Sequence, residues 1–291
     1  MRTQSACYPC FFKQALSSLD RMKAAEEKRL EVYQAVAGLA AKLKPEKDPA
    51  YNSSQVLHLV NLHLGAEDPY GEAKREYNQL ALAMLPSLQE RVAASADPLE
   101  AAVRLAVVGN VIDLGIGHEV DLEGTMARAF GDGFARFEME AFRAALQPAQ
   151  RLLYLLDNAG EVVFDRLLIE QLRKSGKAVI AGVKAGPIIN DATREDAEQA
   201  GLPNICRVID TGSNFVGVAR ERCSPLFLQA LDRADLVIAK GQGNYETLEG
   251  TRPNLFFILK AKCEAVAGHL GVKLGDLYFG QTPDKPTATP G

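Results

Sequence analysis

The stretch Arg151-Leu152-Leu153-Tyr154-Leu155-Leu156-Asp157-Asn158-Ala159-Gly160-Glu161 decides the fold. An apolar run of strand length stops at an acid, a small pair permits a tight turn, and a helical pattern then runs from Val162 to Ser175. The same rhythm recurs downstream. Ala178 to Val183 ends near Lys184, Arg207 to Ile209 in Asp210, Leu236 to Ala239 in Lys240, and Leu255 to Leu259 in Lys260. A further helical segment, Asp191 to Ala200, lies between two of these runs. Short buried strands alternating with helices predict an α/β fold whose parallel sheet is closed by crossover helices. Ligands in such sheets bind beyond the carboxyl ends of the strands, where the polar clusters of this chain fall.

Outward toward the N-terminus the pattern is helical. Phe12, Leu16, Leu19, Met22, Leu30, Tyr33 and Val36 recur at helical spacing between Cys10 and Lys44, and Pro45 to Pro49 breaks the run. Ser53 and Ser54 are candidate caps of the next helix. Helices are also predicted over Tyr70 to Leu85, Pro98 to Leu114 and Gly131 to Leu146, with Pro86 and Pro148 as breaks. A soft boundary near Pro148 separates a helical domain, 1–148, from an α/β metal- and phosphate-binding domain, 149–291.

The chain has 291 residues, enough for one large domain or two closely packed ones. Its net charge of -4 offers no basic field for nucleic acid. No apolar run reaches the roughly 18 residues that a membrane span requires, and no secretory signal pattern opens the sequence. Five cysteines, an odd number in a long chain, point to a reducing, cytoplasmic setting. Oligomeric state is not legible.

Asp157 and Asn158 place two hard oxygen donors at a strand tip, a set suited to magnesium or manganese. The same residues also make an ordinary helix N-cap. The next strand leads to Asn190 and Asp191, and Asp191 either caps a helix or completes a three-ligand set with Asp157 and Asn158. Lys240-Gly241-Gln242-Gly243-Asn244 joins a positive charge to a glycine-rich turn whose amides suit an anion. Thr211 and Ser213, in Asp210-Thr211-Gly212-Ser213, add hydroxyls to the same rim or simply form a polar turn. Asn110 and Asp113, three apart on an apolar helix, need polar partners, either from the site or from a neighbouring helix.

Taken in order, Asp157-Asn158-Ala159-Gly160-Glu161, Asn190-Asp191, Thr211-Gly212-Ser213 and Lys240-Gly241-Gln242-Gly243-Asn244 resemble the metal-dependent damage-control phosphatases, a family first catalogued as a domain of unknown function. The resemblance extends to Asp68-Pro69-Tyr70 and Gly109-Asn110-Val111-Ile112-Asp113. The opening Cys7-Tyr8-Pro9-Cys10 resembles the archaeal and bacterial branch. The resemblance implies a three-layer α/β/α sandwich with an added helical domain, and hydrolysis of small phosphate monoesters such as sugar phosphates. It also implies a divalent cofactor, with manganese, magnesium, nickel and cobalt as candidates. Carried over by position, Asp157, Asn158 and Asp191 become metal ligands and Lys240 a phosphate contact. It favours Asn110 lining the site.

On this reading a bound metal polarises the phosphoryl group and acidifies water. Lys240 and the Gly241–Gly243 amides stabilise the transferring charge, and Glu161 orients water or merely caps its helix. In-line attack by water is expected over a covalent intermediate on Asp157, because a metal-engaged carboxylate is a poorer nucleophile. A nucleotide- or nicotinamide-dependent enzyme is the competing class, but no Gly-x-Gly-x-x-Gly follows the first strand and no P-loop is present. The other competitor is a non-catalytic metal or redox module on Cys7 and Cys10. His58 and His63 could complete a zinc site with them. The expected role of the pair is to pin the terminus, without a part in hydrolysis. Cys206, Cys223 and Cys263 are expected to be buried small hydrophobes, and His118 and His269 to be structural or solvated.

Overall fold

The computed structural model describes residues 1–111, 122–131 and 133–282. Ile112, Asp113, Leu114 and His118 lie outside them. Three helices open the chain: α1 (Tyr8–Arg21), α2 (Glu26–Ala40) and α3 (Pro49–Leu64). The long helical stretch read from Cys10 to Lys44 is therefore two helices. Asp48, not Ser53 or Ser54, caps α3, its carboxylate accepting from the Tyr51 amide at 2.7 Å, with Pro49 at the first helical position. Both serines are buried inside the helix.

Next come α4 (Gly71–Ala94), α5 (Pro98–Val111) and α6 (Leu122–Phe130), then strand β1 (Phe134–Phe137) and α7 (Met139–Leu146). Pro86 does not end its helix. It sits within α4, where buried Leu85, Leu88 and Val92 anchor the turns on either side against the core. Gly131 to Leu146 is not one helix either, since β1 occupies its first part.

The second half follows the predicted alternation: β2 (Arg151–Leu155), α8 (Glu161–Lys174), β3 (Ala178–Val183), α9 (Arg194–Gln199), β4 (Arg207–Asp210), α10 (Pro225–Arg233), β5 (Leu236–Lys240), α11 (Gln242–Leu248), β6 (Leu255–Lys260), α12 (Glu264–Leu270) and β7 (Leu277–Gly280). The sheet order is β1-β7-β6-β5-β2-β3-β4. Every pairing is parallel except β6 with β7. From β2 the chain winds outward through β3 and β4, then returns to lay β5 on the other side of β2. The crevice between the ends of β2 and β5 is thus a topological switch point.

Helices cover both faces of the sheet. On one, α4, α5 and α8 share a core with Leu152, Tyr154, Ile238 and Phe256. On the other, Leu153, Val237 and Phe257 pack with Phe227, Tyr245 and Val266 from α10, α11 and α12. Gly109 lets α5 lie close on α8, because a Cβ there would sit 2.9 Å from the Phe164 Cβ. The sheet and its covering helices draw on residues before 148: β1 pairs with β7, and α5 contacts β6. By contrast α1, α2 and α3 enclose a small core of their own around Phe11, Leu19, Val32, Val36, Val56 and Val60. Among the described residues no helix is long and apolar enough to cross a membrane.

Candidate functional site

The loops after β2 and β3 are fastened by main-chain bonds. The Ala192 amide donates to the Asp157 carbonyl at 2.7 Å, the Ala159 amide donates to the Asn190 carbonyl at 2.9 Å, and Asn158 and Asp191 form an antiparallel bridge. The Gly160 amide, at the start of α8, donates to the Asn78 side chain of α4 at 2.7 Å. Asp157, Asn158 and Asp191 consequently line one cavity of about 680 Å³, together with Asn110, Glu161, Gln242, Gly243 and Lys262.

Amides bridge the carboxylates. The Asn110 side-chain amide donates to Asp157 at 3.0 Å and to both Glu161 oxygens at 3.1 and 3.0 Å. Its carbonyl oxygen accepts from the Lys260 amide at 3.1 Å. Asn158 donates to Asp157 at 3.0 Å and to Glu161 at 2.6 Å. Burial, with Glu161 and Asp191 adding like charge, holds the Asp157 carboxyl well above the usual carboxylate range. Burial pushes Asp191 up to about 6, against the pull of Lys184, whose ammonium lies 3.5 Å away.

Gly241 sits opposite Asp157. Its φ is 81°, and a Cβ there would overlap the Asp157 carboxylate. Only glycine combines that backbone conformation with that approach. The glycine-rich turn after β5 therefore serves contact between two strand ends, while Gly243 lines the cavity and Gly241 does not.

Lys240 occupies a different place from the one expected of a phosphate contact. It is fully buried and absent from the cavity wall, with its ammonium 2.5 Å from Asp165 and 3.3 Å from Glu161. Burial works against its charge, but Asp165 and Glu161 outweigh it and hold Lys240 above the ordinary lysine value. Burial raises Asp165 to about 6, and the Tyr154 hydroxyl donates to it at 2.7 Å. Tyr154, Asp165, Lys240 and Glu161 thus form a polar column beneath the cavity floor.

Thr211, Ser213 and Asn244 also stand back from the cavity wall. The Thr211 hydroxyl donates to the Ser213 carbonyl at 2.8 Å, the Ser213 hydroxyl accepts from the Phe215 amide at 3.2 Å, and Asn244 donates to the Leu156 and Lys240 carbonyls at 3.2 and 2.8 Å. They secure loops around the site. Lys262, which belongs to none of the sequence motifs, is exposed on the cavity and lowers the cost of charge on Asp157. Its one sequence signal is its place just past the end of β6.

One stripe of α1, namely Cys10, Phe11, Gln14, Ser17 and Arg21, roofs the cavity, with Cys7 at its start and Tyr70 and Tyr77 nearby. All five cysteines are free. Cys263 is half-buried on the same cavity, so it is more than core filling. His58 and His63 do not join Cys7 and Cys10: His58 Nε2 lies 3.2 Å from the Asn214 carbonyl oxygen and His63 Nδ1 lies 2.8 Å from Glu31.

The donor set suits a hard divalent cation. Carboxylates accumulate around Asp157, whose side chain is met by two neutral amides, and a cation would relieve their repulsion. Among the described residues no three His, Cys, Asp or Glu side chains form a metal cage on their own.

Comparison with known proteins places this architecture. The chain is 37% identical over 282 residues to a damage-control phosphatase of Pyrococcus horikoshii, covering 95% of this chain and 97% of that one. It is 37% identical over 234 residues to a damage-control phosphatase of Archaeoglobus fulgidus, covering 78% and 81%. An uncharacterized protein of Methanocaldococcus jannaschii is 33% identical over 289 residues, covering 95% and 94%. The crystal structure of a DUF89 family protein from Pyrococcus horikoshii superposes with a TM-score of 0.90 at 35% identity, covering 97% of this chain and all of that one. The damage-control phosphatase ARMT1-like domain matches residues 3–278, and the chain belongs to that family.

Proposed function

We propose that this family member is a metal-dependent phosphatase acting on small phosphorylated metabolites, sugar phosphates or related damaged esters among them. The damage-control phosphatases it resembles support the phosphatase activity. The observation that carries the metal dependence is the convergence of Asp157, Asn158 and Asp191 at the switch point, on one cavity with Lys262. Asp157, Asn158 and Asp191 would hold a divalent ion, manganese, magnesium, nickel or cobalt, which supplies Lewis acidity toward a phosphoryl oxygen and toward water. Glu161, fixed by Asn110, Asn158 and Lys240, orients the attacking water. Lys262 and the Gly243 backbone meet the phosphate, and Lys240 acts from below by holding Glu161. A cytoplasmic setting is supported by the five free thiols.

The test is hydrolysis of p-nitrophenyl phosphate by protein stripped of metal and then resupplied with manganese. Activity should disappear on chelation and return with the ion, and Lys262→Ala should lower kcat/KM by roughly tenfold, as loss of one charge-assisted contact does. Full turnover in chelator would overturn the metal dependence.

A further inference from the structure

Hydrolysis leaves one set of groups on the cavity unused. Cys7 stands at the N-cap of α1 and Cys10 at its third helical position, and both line the cavity with Asp157 and Asn158. Cys263, at the N-cap of α12, lines it from the sheet side. All three are free thiols. Residues three apart at a helix start have Cβ atoms about 5–6 Å apart, and a disulfide requires about 3.5–4.5 Å. A small shift of the N-cap closes that gap. Pro9 between them has no amide hydrogen to lose. Cys10 is exposed and Cys7 buried, so one thiol meets solvent and the other stands behind it. Burial pushes the Cys7 thiol up, which suits a second, resolving partner rather than a first attacker.

We infer that Cys7 and Cys10 form a thiol–disulfide exchange site in the wall of the substrate cavity, taking low-molecular-weight disulfides, and that the oxidised pair captures substrate less well. The second half of this inference rests on the cavity being the phosphatase site. In the first step the Cys10 thiolate attacks one sulfur of the external disulfide. The external S–S bond breaks, a mixed disulfide forms, and the leaving thiolate takes up a proton. The Cys7 thiol then loses its proton to solvent and attacks the Cys10 sulfur, and a second external thiol departs. Two protein thiols are oxidised to one disulfide, and one external disulfide is reduced to two thiols.

The effect on capture follows from what Cys7 holds. Its sulfur accepts from the Gln4 amide at 3.5 Å and closes the turn that precedes α1. Drawing that sulfur toward Cys10 releases the turn and moves the first turn of the helix whose stripe roofs the cavity. The floor ligands are on other elements, so substrate capture changes more than the chemical step.

The experiment starts from reduced, manganese-loaded protein treated with bis(2-hydroxyethyl) disulfide. Thiols are counted, the peptide carrying residues 3–13 is weighed, and hydrolysis of p-nitrophenyl phosphate is followed. The expected result is loss of two of the five thiols, a peptide lighter by two hydrogens, and KM raised at least about threefold with kcat within about twofold. Dithiothreitol should reverse all three changes, and Cys10→Ser should prevent them. Persistence of all thiols, an unchanged KM after oxidation, or protection by Cys263→Ser (which would mean that Cys263 is the true partner) would each overturn the inference. If the reduced protein hydrolyses no phosphate ester, the phosphatase reading falls and the effect on capture falls with it. Thiol counting tests the exchange chemistry separately.

Discussion

The floor and the roof of the cavity are built by opposite means. The floor joins strand ends through the main chain, Asp157 to Ala192 and Ala159 to Asn190, with the Asp157 carboxylate laid on the Gly241 backbone. The roof is one face of α1, on a three-helix unit with its own small core. Side-chain bonds tie that unit to its surroundings, among them Ser54 to the Val216 amide at 2.8 Å and Tyr70 to Ser17 at 2.9 Å. A main-chain floor fixes distances within the site. A roof held by side chains can vary its surface without disturbing them. Turnover should therefore depend on the floor and selection on the roof.

The largest effect should come from the floor itself. Asp157→Ala removes a proposed metal ligand at a strand tip, and kcat is expected to fall at least about 10³-fold, roughly 4 kcal/mol, with the melting temperature little changed. Steady-state kinetics in saturating manganese would check it, and near wild-type turnover would break the assignment of chemistry to the floor. Next in size is Lys240→Ala, which strands Asp165 and Glu161 in the interior. Removing one partner of a buried ion pair costs about 3–5 kcal/mol, so this variant should unfold at lower denaturant in an equilibrium titration. A stable variant that had lost only phosphate affinity would return Lys240 to the role of phosphate contact.

On the roof, Lys13 is exposed on the cavity wall. Lys13→Ala should raise KM about two- to fivefold and leave kcat within about twofold. A kcat effect as large as that on KM would erase the contrast between roof and floor. The smallest effect lies outside both. At the opposite end of β2, Asp235 accepts from the Arg151 side chain at 2.7 Å and from the Arg151 and Gln150 amides at 2.8 and 3.0 Å. The Arg151 guanidinium, with these amides, holds its carboxyl well below the usual range. A depressed folded pKa contributes stability above the unfolded value near 3.9, lost as pH falls below it. Asp235→Asn should lower the melting temperature by about 2 °C at neutral pH, and the gap should vanish in acid. The pair is solvent-exposed, which keeps the effect small.

How much of this was legible in the sequence differs between the same regions. Five strands were found because each is an apolar run with a polar stop. β1 and β7 lack that signature: Phe134-Ala135-Arg136-Phe137 is broken by a charge, and Leu277-Tyr278-Phe279-Gly280 ends on glycine instead of a polar side chain. The residues that converge on the floor were legible because Asp157, Asn158 and Asp191 follow strand ends, where topology brings loops together. The side on which Lys240 points was not. A lysine at a strand end reads as a ligand contact until the position of Asp165 on α8 is known. Lys262 has no surrounding motif, and the roof is a helix stripe whose polar members resemble any solvated face. Cys7 and Cys10 had the spacing but no neighbours in sequence to reveal the cavity beside them.

The contact between Gly241 and Asp157 bears on how heat should inactivate this protein. The Asp157 carboxylate lies directly on the Gly241 main chain, so its side chain has no room to swing toward β5. The spacing of Asp157, Asn158 and Asp191 should then persist until the sheet itself separates. Thermal inactivation of the metal-loaded protein should follow global unfolding, measured by far-ultraviolet circular dichroism, with no earlier phase in which fold survives and activity does not. Such coincidence is uncommon where catalytic residues sit on free loops, which open locally before the core. Here Asp157 and Asn158 follow β2 directly and Asp191 is bridged to Asn158, so the three move with the sheet.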